Sequence, residues 1–149
     1  MEISEILTPD RVILDVRSRD KQQLIAEIAR QFGRVVPSVK PQAAEAALAA
    51  REQLGSTGLG SGFALPHARI EGLSSYLGMF LRLSKSVDFE AIDDKPVQLV
   101  FALLIPAETT TPHVAALAAI TRRFRDPELA AQLRKAETPA AAYGYLTNY

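Results

Sequence analysis

His67 is the side chain whose neighbours in the sequence most favour chemistry. Pro66, directly before it, has a fixed φ and keeps Leu65 extended, so the imidazole is presented from stiff backbone. A neutral imidazole is a competent nucleophile near pH 7 and needs no metal of its own. A histidine after a proline at the end of a strand can also be structural or simply solvated, and the residue types by themselves leave both interpretations open.

The stretch that leads to His67 is unusually rich in glycine, with four glycines in eight residues: Gly55, Gly58, Gly60 and Gly62. Glycine can adopt positive φ and can turn its N–H groups toward a ligand without a side chain in the way, which predicts a loop able to hold an anion. The Gly-x-Gly-x-Gly spacing matches neither the dinucleotide fingerprint nor the P-loop, so a nucleotide is not the expected ligand. The hydroxyl of Thr57 could assist at that anion site or only tie the loop together.

Arg51 precedes the glycine loop and falls in the last turn of a predicted helix. A cation at that place is often only a favourable partner for the helix dipole. Its guanidinium is also permanently charged and presents a planar fork of donors suited to phosphate. Because the following loop is predicted to hold an anion, Arg51 is a candidate phosphate-binding residue.

His113 is the second candidate histidine. Thr111 and Pro112 form a cap-and-proline start of a helix, which places His113 at the second helical position, beside unpaired backbone N–H groups. The positive end of the helix dipole favours a nearby phosphate and disfavours protonation of the ring, and a neutral ring could donate one N–H to a phosphoryl oxygen. An early helical residue on the surface, without a function, is the alternative.

Two other kinds of site are poorly supported. Two histidines are too few for a stable zinc or copper site, and the nearest carboxylates show no ligand spacing with either, so neither a metal nor another cofactor is expected. Ser56 and Ser61 lack the Gly-x-Ser-x-Gly pattern of a hydrolase nucleophile.

The elements that must position these residues begin with a strand over residues 11–16, whose Val12, Leu14 and Val16 are predicted to share one face. Asp20 is expected to cap a helix over residues 21–32, whose end is predicted at Gly33. A second, alanine-rich helix begins near Pro41 and carries Arg51 in its last turn.

Two longer strands are predicted after the candidate site. Residues 76–83 alternate in polarity, and residues 97–105 are nearly continuous apolar sequence, typical of a central strand, with a turn over residues 93–96 between them. Helices follow, and their starts repeat an oxygen-bearing cap before proline at Thr111-Pro112, Asp126-Pro127 and Thr138-Pro139.

The size and composition of the chain limit the classes of function that it can have. A chain of 149 residues fits a single domain, 1–149, with one sizeable core. Seventeen basic and seventeen acidic side chains balance, which removes the general electrostatic attraction to nucleic acid or an anionic membrane. There is no cysteine for a disulfide or a thiol nucleophile, and the acidic N-terminus and the lack of a long apolar run predict a cytoplasmic protein without membrane insertion.

The glycine run and the Pro-His pair together read Gly-Ser-Thr-Gly-Leu-Gly-Ser-Gly-Phe-Ala-Leu-Pro-His-Ala-Arg, which resembles the active-site signature of the fructose/mannitol type of enzyme IIA of the bacterial phosphotransferase system. The similarity continues through residues 87–93, residues 95–97, the apolar run to Pro106, and His113 with its helix. It therefore spans essentially the whole chain. A chain of this length with this Asp-Phe-x-Ala-Ile-Asp segment is most similar to the nitrogen-regulatory branch of the family.

The resemblance implies an α/β fold, with a mixed sheet of about five strands and helices on both faces. It implies that His67 accepts a phosphoryl group, that a functional arginine stands at Arg51, and that the second active-site histidine is His113, with Val114 after it where leucine is common. The predicted phosphate-binding loop comprises Thr57, Gly58, Gly60 and Gly62. By analogy with phosphoryl transfer elsewhere, these groups would neutralise oxygens in a loose transition state.

The resemblance also implies partners. The expected donor is a small phosphohistidine carrier protein of the HPr type, docked on apolar surface that includes Phe63 and Leu65. Two functions remain open: a nitrogen or metabolic regulator whose phosphorylation state selects its protein targets, and a sugar-uptake enzyme IIA that passes its phosphate to an enzyme IIB. The absence of cysteine, a membrane segment and room for another domain favours a free-standing regulator.

Overall fold

The computed structural model describes residues 2–109 and 114–148, and these form a mixed sheet with helices on both faces. Six strands are β1 (Val12–Val16), β2 (Gly58–Gly60), β3 (Phe63–Ala64), β4 (His67–Ile70), β5 (Leu77–Val87) and β6 (Val97–Pro106). Five helices are α1 (Lys21–Val35), α2 (Pro41–Gln53), α3 (Val114–Phe124), α4 (Pro127–Lys135) and α5 (Pro139–Thr147). Two single 3-10 turns, Ile3–Glu5 and Pro9–Arg11, precede β1.

Strand β6 is the centre of the sheet, as its continuous apolar sequence predicted. It pairs antiparallel with β5 along one edge and parallel with both β3 and β4, one after the other, along its other edge. Strand β1 adds to the free side of β5 in parallel, and β2 pairs antiparallel with β3. The sheet is therefore mixed, and it includes the short strands β2, β3 and β4 around the glycine run and the Pro-His pair.

The two faces of the sheet bury two separate cores. One core packs α1 and α2 against the sheet through residues such as Ile28, Phe32 and Leu48. The other packs α3, α4 and α5 against the opposite face through residues such as Ile120 and Leu133. The alternation predicted for β5 is confirmed, because Met79, Leu81 and Leu83 belong to the first core and Phe80 to the second. Helices on both faces are likewise confirmed.

The predicted end of α1 at Gly33 is wrong. Asp20 does cap the start, since its side chain accepts the N–H of Gln23, but the helix continues to Val35. A Cβ at Gly33 would lie 2.5 Å from Cγ of Pro41, the first residue of α2. This glycine allows the close approach of the two helices and does not end one of them.

The shared face predicted for β1 is also wrong at one position. Val12 belongs to the core under α3–α5, and Leu14 packs against that core, but Val16 belongs to the core under α1 and α2. Asp15 between them has a φ of 59°, and the pairing with β5 shifts register there. An irregularity of this kind reverses the side on which the next side chain emerges.

The other predicted turns and caps are present where the structure describes them. The turn predicted over residues 93–96 lies two residues earlier, since the N–H of Asp94 donates to the carbonyl of Ala91 at 3.0 Å, and Asp94 has a φ of 60°. Asp126 accepts the N–H of Glu128 at the start of α4, and Thr138 accepts the N–H of Ala141 at the start of α5. The third predicted cap, Thr111-Pro112, lies outside the described residues. Within the part of the chain that is described, no helix is long and apolar enough to cross a membrane.

Candidate functional site

His67 is the first residue of β4, opposite Leu103 of the central strand. The Pro66 carbonyl accepts the N–H of Leu103 at 2.9 Å, so the backbone entering the histidine is held by the sheet. Nδ1 of the ring lies 2.8 Å from the carbonyl oxygen of Leu65. A carbonyl only accepts hydrogen bonds, so Nδ1 carries the proton. In the neutral ring the lone pair then belongs to Nε2.

The direction of the His67 side chain follows from the register of β4. Ala68 and Ile70 belong to the core under α1 and α2, and side chains alternate along a strand, so His67 and Arg69 lie on the face that α3 covers. Nη1 of Arg69 donates to the carbonyl of Thr109 at 3.3 Å. His113 lies outside the described residues, and its part in the site stays a prediction.

Arg51 stands where the sequence placed it, in the last turn of α2. Its Nη1 donates to the carbonyl of Gly55 at 3.0 Å, and the side chain is half-buried. The guanidinium is thus held at the start of the glycine loop. Phosphate binding by Arg51 stays a prediction.

The glycine loop is a β-hairpin, in which β2 and β3 are joined through Ser61 and Gly62. Gly60 and Gly62 have φ of 96° and 81°, values that favour glycine. At Gly58 the reason for glycine is space, because a Cβ there would lie 2.8 Å from Cα of Ala91. The N–H of Gly58 donates to Oγ of Ser56 at 3.0 Å. Phosphate binding by Thr57, Gly58, Gly60 and Gly62 stays a prediction.

The Thr57 side chain is buried and tied into the protein. Its hydroxyl donates to Oε1 of Glu52, and its backbone N–H donates to Oε2 of the same carboxylate at 3.1 Å. Of the two roles considered for Thr57, this geometry provides the one that ties the loop together. Sequence reasoning missed Glu52, and the available signal was an acidic residue adjacent to Arg51 at the end of a helix.

The prediction that Phe63 and Leu65 form a docking surface is wrong. Their exposed fractions are 5% and 3%, and the Phe63 ring stacks on Phe124 with centroids 4.1 Å apart. Both side chains belong to the core under α3–α5, and Phe63 lies opposite Leu99 of β6, which belongs to the same core. Among the described residues, the exposed large apolar side chains are Leu54, Leu59, Ile92, Val114 and Tyr145.

Asp93 is hydrogen-bonded to the backbone at the tip of the glycine hairpin. Its carboxylate accepts the N–H of Ser61, at the hairpin tip, and the N–H of Lys95. Hydrogen bonds from Ser61 and then Lys95 stabilise the charged form and hold the pKa of Asp93 below its ordinary value. The carboxylate therefore links the glycine hairpin to the turn before β6.

Among the described residues, no cluster of three or more histidine, aspartate or glutamate side chains is placed to hold a metal ion. A cavity of about 500 Å³ lies between the hairpin and α3–α4, where Phe124, Arg125 and Arg134 contribute to its walls, and His67 does not line it. The His67 side chain is half-buried, so part of it is open to the surface.

Comparison with known proteins places these features in context. A family model described as "Phosphoenolpyruvate-dependent sugar phosphotransferase system, EIIA 2" matches residues 5–149. The nitrogen regulatory protein of Pseudomonas aeruginosa is 37% identical over 143 residues, which is 96% of this chain and 93% of that protein.

Solved structures agree with this match. The nitrogen regulatory protein IIA-Ntr of Neisseria meningitidis has a TM-score of 0.89 at 34% identity, over 97% of this chain and 99% of that one. The mannitol IIA of Escherichia coli has a TM-score of 0.78 at 20% identity, over 93% and 97% of the two chains, which shows a shared fold.

Proposed function

The chain belongs to the phosphoenolpyruvate-dependent sugar phosphotransferase system EIIA 2 family, and from this premise we propose that residues 1–149 form one enzyme IIA domain with His67 as its phosphoryl acceptor. As a member it is a phosphotransferase component, and its likeness to nitrogen regulatory proteins at 34–37% identity makes it a phosphoryl carrier of the regulatory kind. Proteins of the family exchange phosphoryl groups with carrier proteins of the HPr type and with enzyme IIB.

The observation that carries the proposal is the hydrogen bond from Nδ1 of His67 to the Leu65 carbonyl. It assigns the lone pair to Nε2, which is therefore the attacking atom. The donor is the phosphohistidine of an HPr-type protein. As the Nε2–P bond forms, the N–P bond of the donor breaks, and its electron pair returns to the donor imidazole.

The remaining site residues neutralise charge in this proposal. Arg51 and the N–H of His113 stabilise the equatorial oxygens of the phosphoryl group, and Gly58, Gly60 and Gly62 give the hairpin the shape to approach it. Thr57 belongs to the same loop through its contacts with Glu52. No metal is required, because the charges are balanced by side chains and backbone donors.

Phosphorylation in vitro tests the proposal. The protein is incubated with phosphoenolpyruvate, enzyme I and an HPr-type carrier, and acid-labile phosphate is measured. The native chain should take up one phosphoryl group and His67→Ala none, with the native fold confirmed by circular dichroism. Nitrogen-15 and phosphorus-31 NMR should place the phosphorus on Nε2. Undiminished labelling of His67→Ala would disprove the assignment.

Sugar uptake is the second candidate, because the family model that matches residues 5–149 describes a sugar phosphotransferase system. It predicts rapid transfer from the phosphorylated chain to a sugar-specific enzyme IIB. The regulatory function predicts that such transfer is slow and that other proteins recognise the two states of His67.

A further inference from the structure

Glu52 is a nearly buried carboxylate that none of the roles above uses. Its side chain is 6% exposed and lies 2.9 Å from Nζ of Lys21. It accepts both the backbone N–H and the hydroxyl of Thr57. A buried charge is tolerated when every oxygen has a partner, and here both oxygens have one.

Lys21 is an unusual choice at its position. It is the first residue of α1, where the helix dipole disfavours a cation. The ammonium is held there by Glu52, by Glu90 at 3.6 Å and by the ring of Phe89, whose centroid lies 4.6 Å away. The start of α1 is thereby connected to the end of α2 through Glu52.

Thr57 passes this restraint to the candidate nucleophile. The Thr57 carbonyl accepts the N–H of Leu65 at 2.9 Å, and the Leu65 carbonyl accepts Nδ1–H of His67 at 2.8 Å. Pro66, the one residue between Leu65 and His67, has a fixed φ. Glu52 is therefore joined to the imidazole by three successive hydrogen-bonded steps with little torsional freedom between them.

The peptide between Thr57 and Gly58 is fixed at its other end too. Its N–H donates to Oγ of Ser56, and the Ser56 hydroxyl donates to the carbonyl of Phe89 at 2.8 Å. The carbonyl that receives Leu65 is thus polarised by a chain of hydrogen bonds, and such chains strengthen one another. Arg51, adjacent to Glu52, holds the same loop at Gly55.

We propose that Glu52 is the positioning residue of the phosphoryl-transfer site, which fixes the Nδ1–H tautomer and the orientation of His67 through Thr57 and Leu65. The inference rests on the proposed role of His67. When Nε2 forms its bond to phosphorus, positive charge develops on the ring, and the proton stays on Nδ1. A correctly placed Leu65 carbonyl then binds that N–H more strongly than in the resting state, which favours the transition state.

The test compares Glu52→Gln and Glu52→Ala with Glu90→Gln. An amide has one accepting oxygen where the carboxylate has two, and alanine has none. Glu90→Gln removes a charge from the same lysine without touching Thr57, so it is the matched control. Nitrogen-15 NMR of the unphosphorylated proteins measures the Nδ1–H fraction of His67, and only two histidines need assignment, by comparison with His67→Ala. Rates and KM for the HPr-type donor are measured in parallel.

The maximal transfer rate should fall several-fold in Glu52→Gln and about 10- to 100-fold in Glu52→Ala, by analogy with the loss of hydrogen-bond partners that orient metal-binding histidines. The Nδ1–H fraction of His67 should fall in the same order, while KM for the donor stays at its native value. In Glu90→Gln, both the Nδ1–H fraction and the maximal transfer rate should stay at their native values. A native tautomer and rate in folded Glu52→Gln would overturn the proposal, whether or not Glu52→Ala folds. Failure of the native chain to accept phosphate would instead refute the role of His67, because the tautomer is measured without phosphate.

Discussion

At the scale of single residues, a direct role of Arg51 in phosphoryl transfer can be distinguished from stabilisation of its helix. We expect Arg51→Ala to slow phosphoryl transfer by about 2–4 kcal/mol of transition-state free energy, by analogy with the loss of one oxyanion donor. Arg34 is the matched control, because it also lies in the last turn of a helix, α1, and is engaged with Gln31 far along the chain from the loop. Arg34→Ala should leave the single-turnover rate unchanged. Equal slowing by both substitutions would mean that Arg51 acts only through helix stability.

His113 is expected to assist transfer and not to accept the phosphoryl group. Its removal in His113→Ala should slow transfer by a similar 2–4 kcal/mol, since one donor to the phosphoryl oxygens is lost. The phosphate that is incorporated should still map to His67 by peptide mass spectrometry. Phosphate found on His113 in the native chain would reverse the two roles.

At the scale of elements, the contact between α1 and α2 depends on one glycine. Gly33→Ala would place a methyl group 2.5 Å from Cγ of Pro41, and overpacking of this kind costs about 1–3 kcal/mol of the free energy of unfolding. Gly144 in α5 is the matched control, because a Cβ there meets no atom within 4 Å. Gly144→Ala should stabilise by about 0.5–1 kcal/mol through helix propensity alone. Chemical denaturation measures the free energy of unfolding of both variants. A change of the same sign in Gly33→Ala and Gly144→Ala would contradict the packing argument.

The link between the hairpin and the turn before β6 should depend on pH. The pKa of Asp93 is lowered in the folded protein, so its carboxylate adds stability above the ordinary value near 3.8, and this contribution is lost as the pH falls through the lower folded value. Asp93→Asn should therefore reduce the pH dependence of stability below about pH 4. The control is Asp94→Asn, at a φ of 60° that asparagine also adopts. If the free energy of unfolding of Asp93→Asn depended on pH as that of the native chain does, the stabilising link from Asp93 to the hairpin would be refuted.

At the scale of the whole molecule, phosphorylation is a large local change of charge. The chain has no net formal charge, and a phosphoryl group adds about 1.5 to 2 negative charges at one surface position. That is enough to create or abolish a protein contact by repulsion and desolvation. We therefore expect regulatory partners to distinguish the two states of His67.

A pull-down compares three proteins: the unphosphorylated chain, the phosphorylated chain and His67→Ala. The His67→Ala variant should behave as the unphosphorylated chain under phosphorylating conditions, since it has no acceptor. Ile92 is 85% exposed, and its N–H donates to the carbonyl of Gly58 in the hairpin. The variant Ile92→Ser therefore tests whether partners bind the apolar surface at Ile92 in the phosphorylated and unphosphorylated states of His67. Identical partners in all three proteins, with rapid delivery of phosphate to an enzyme IIB, would favour sugar uptake.

The sequence alone determined the local features of this protein. The apolar run of β6, the alternation of β5, the caps Asp20, Asp126 and Thr138, and the place of Arg51 at a helix end were all readable, because each depends on residues close together in the chain. The Pro-His pair and its glycine run likewise identified the family, since their chemistry is contained in one contiguous stretch.

Only the tertiary structure decided what depends on how separate elements meet. The prediction for Gly33 was wrong because its reason is the approach of Pro41 from α2. The prediction for Val16 was wrong because the irregularity at Asp15, where β1 shifts register against β5, changes the face on which the Val16 side chain emerges. Phe63 and Leu65 are apolar in any reading, and their burial became evident only when α3 covered their face of the sheet. The connection from Glu52 to His67 is of the same kind. Its four residues, Glu52, Thr57, Leu65 and His67, are close in the chain, but the hydrogen bond between Thr57 and Leu65 forms only once the chain has folded back between them through β2 and β3.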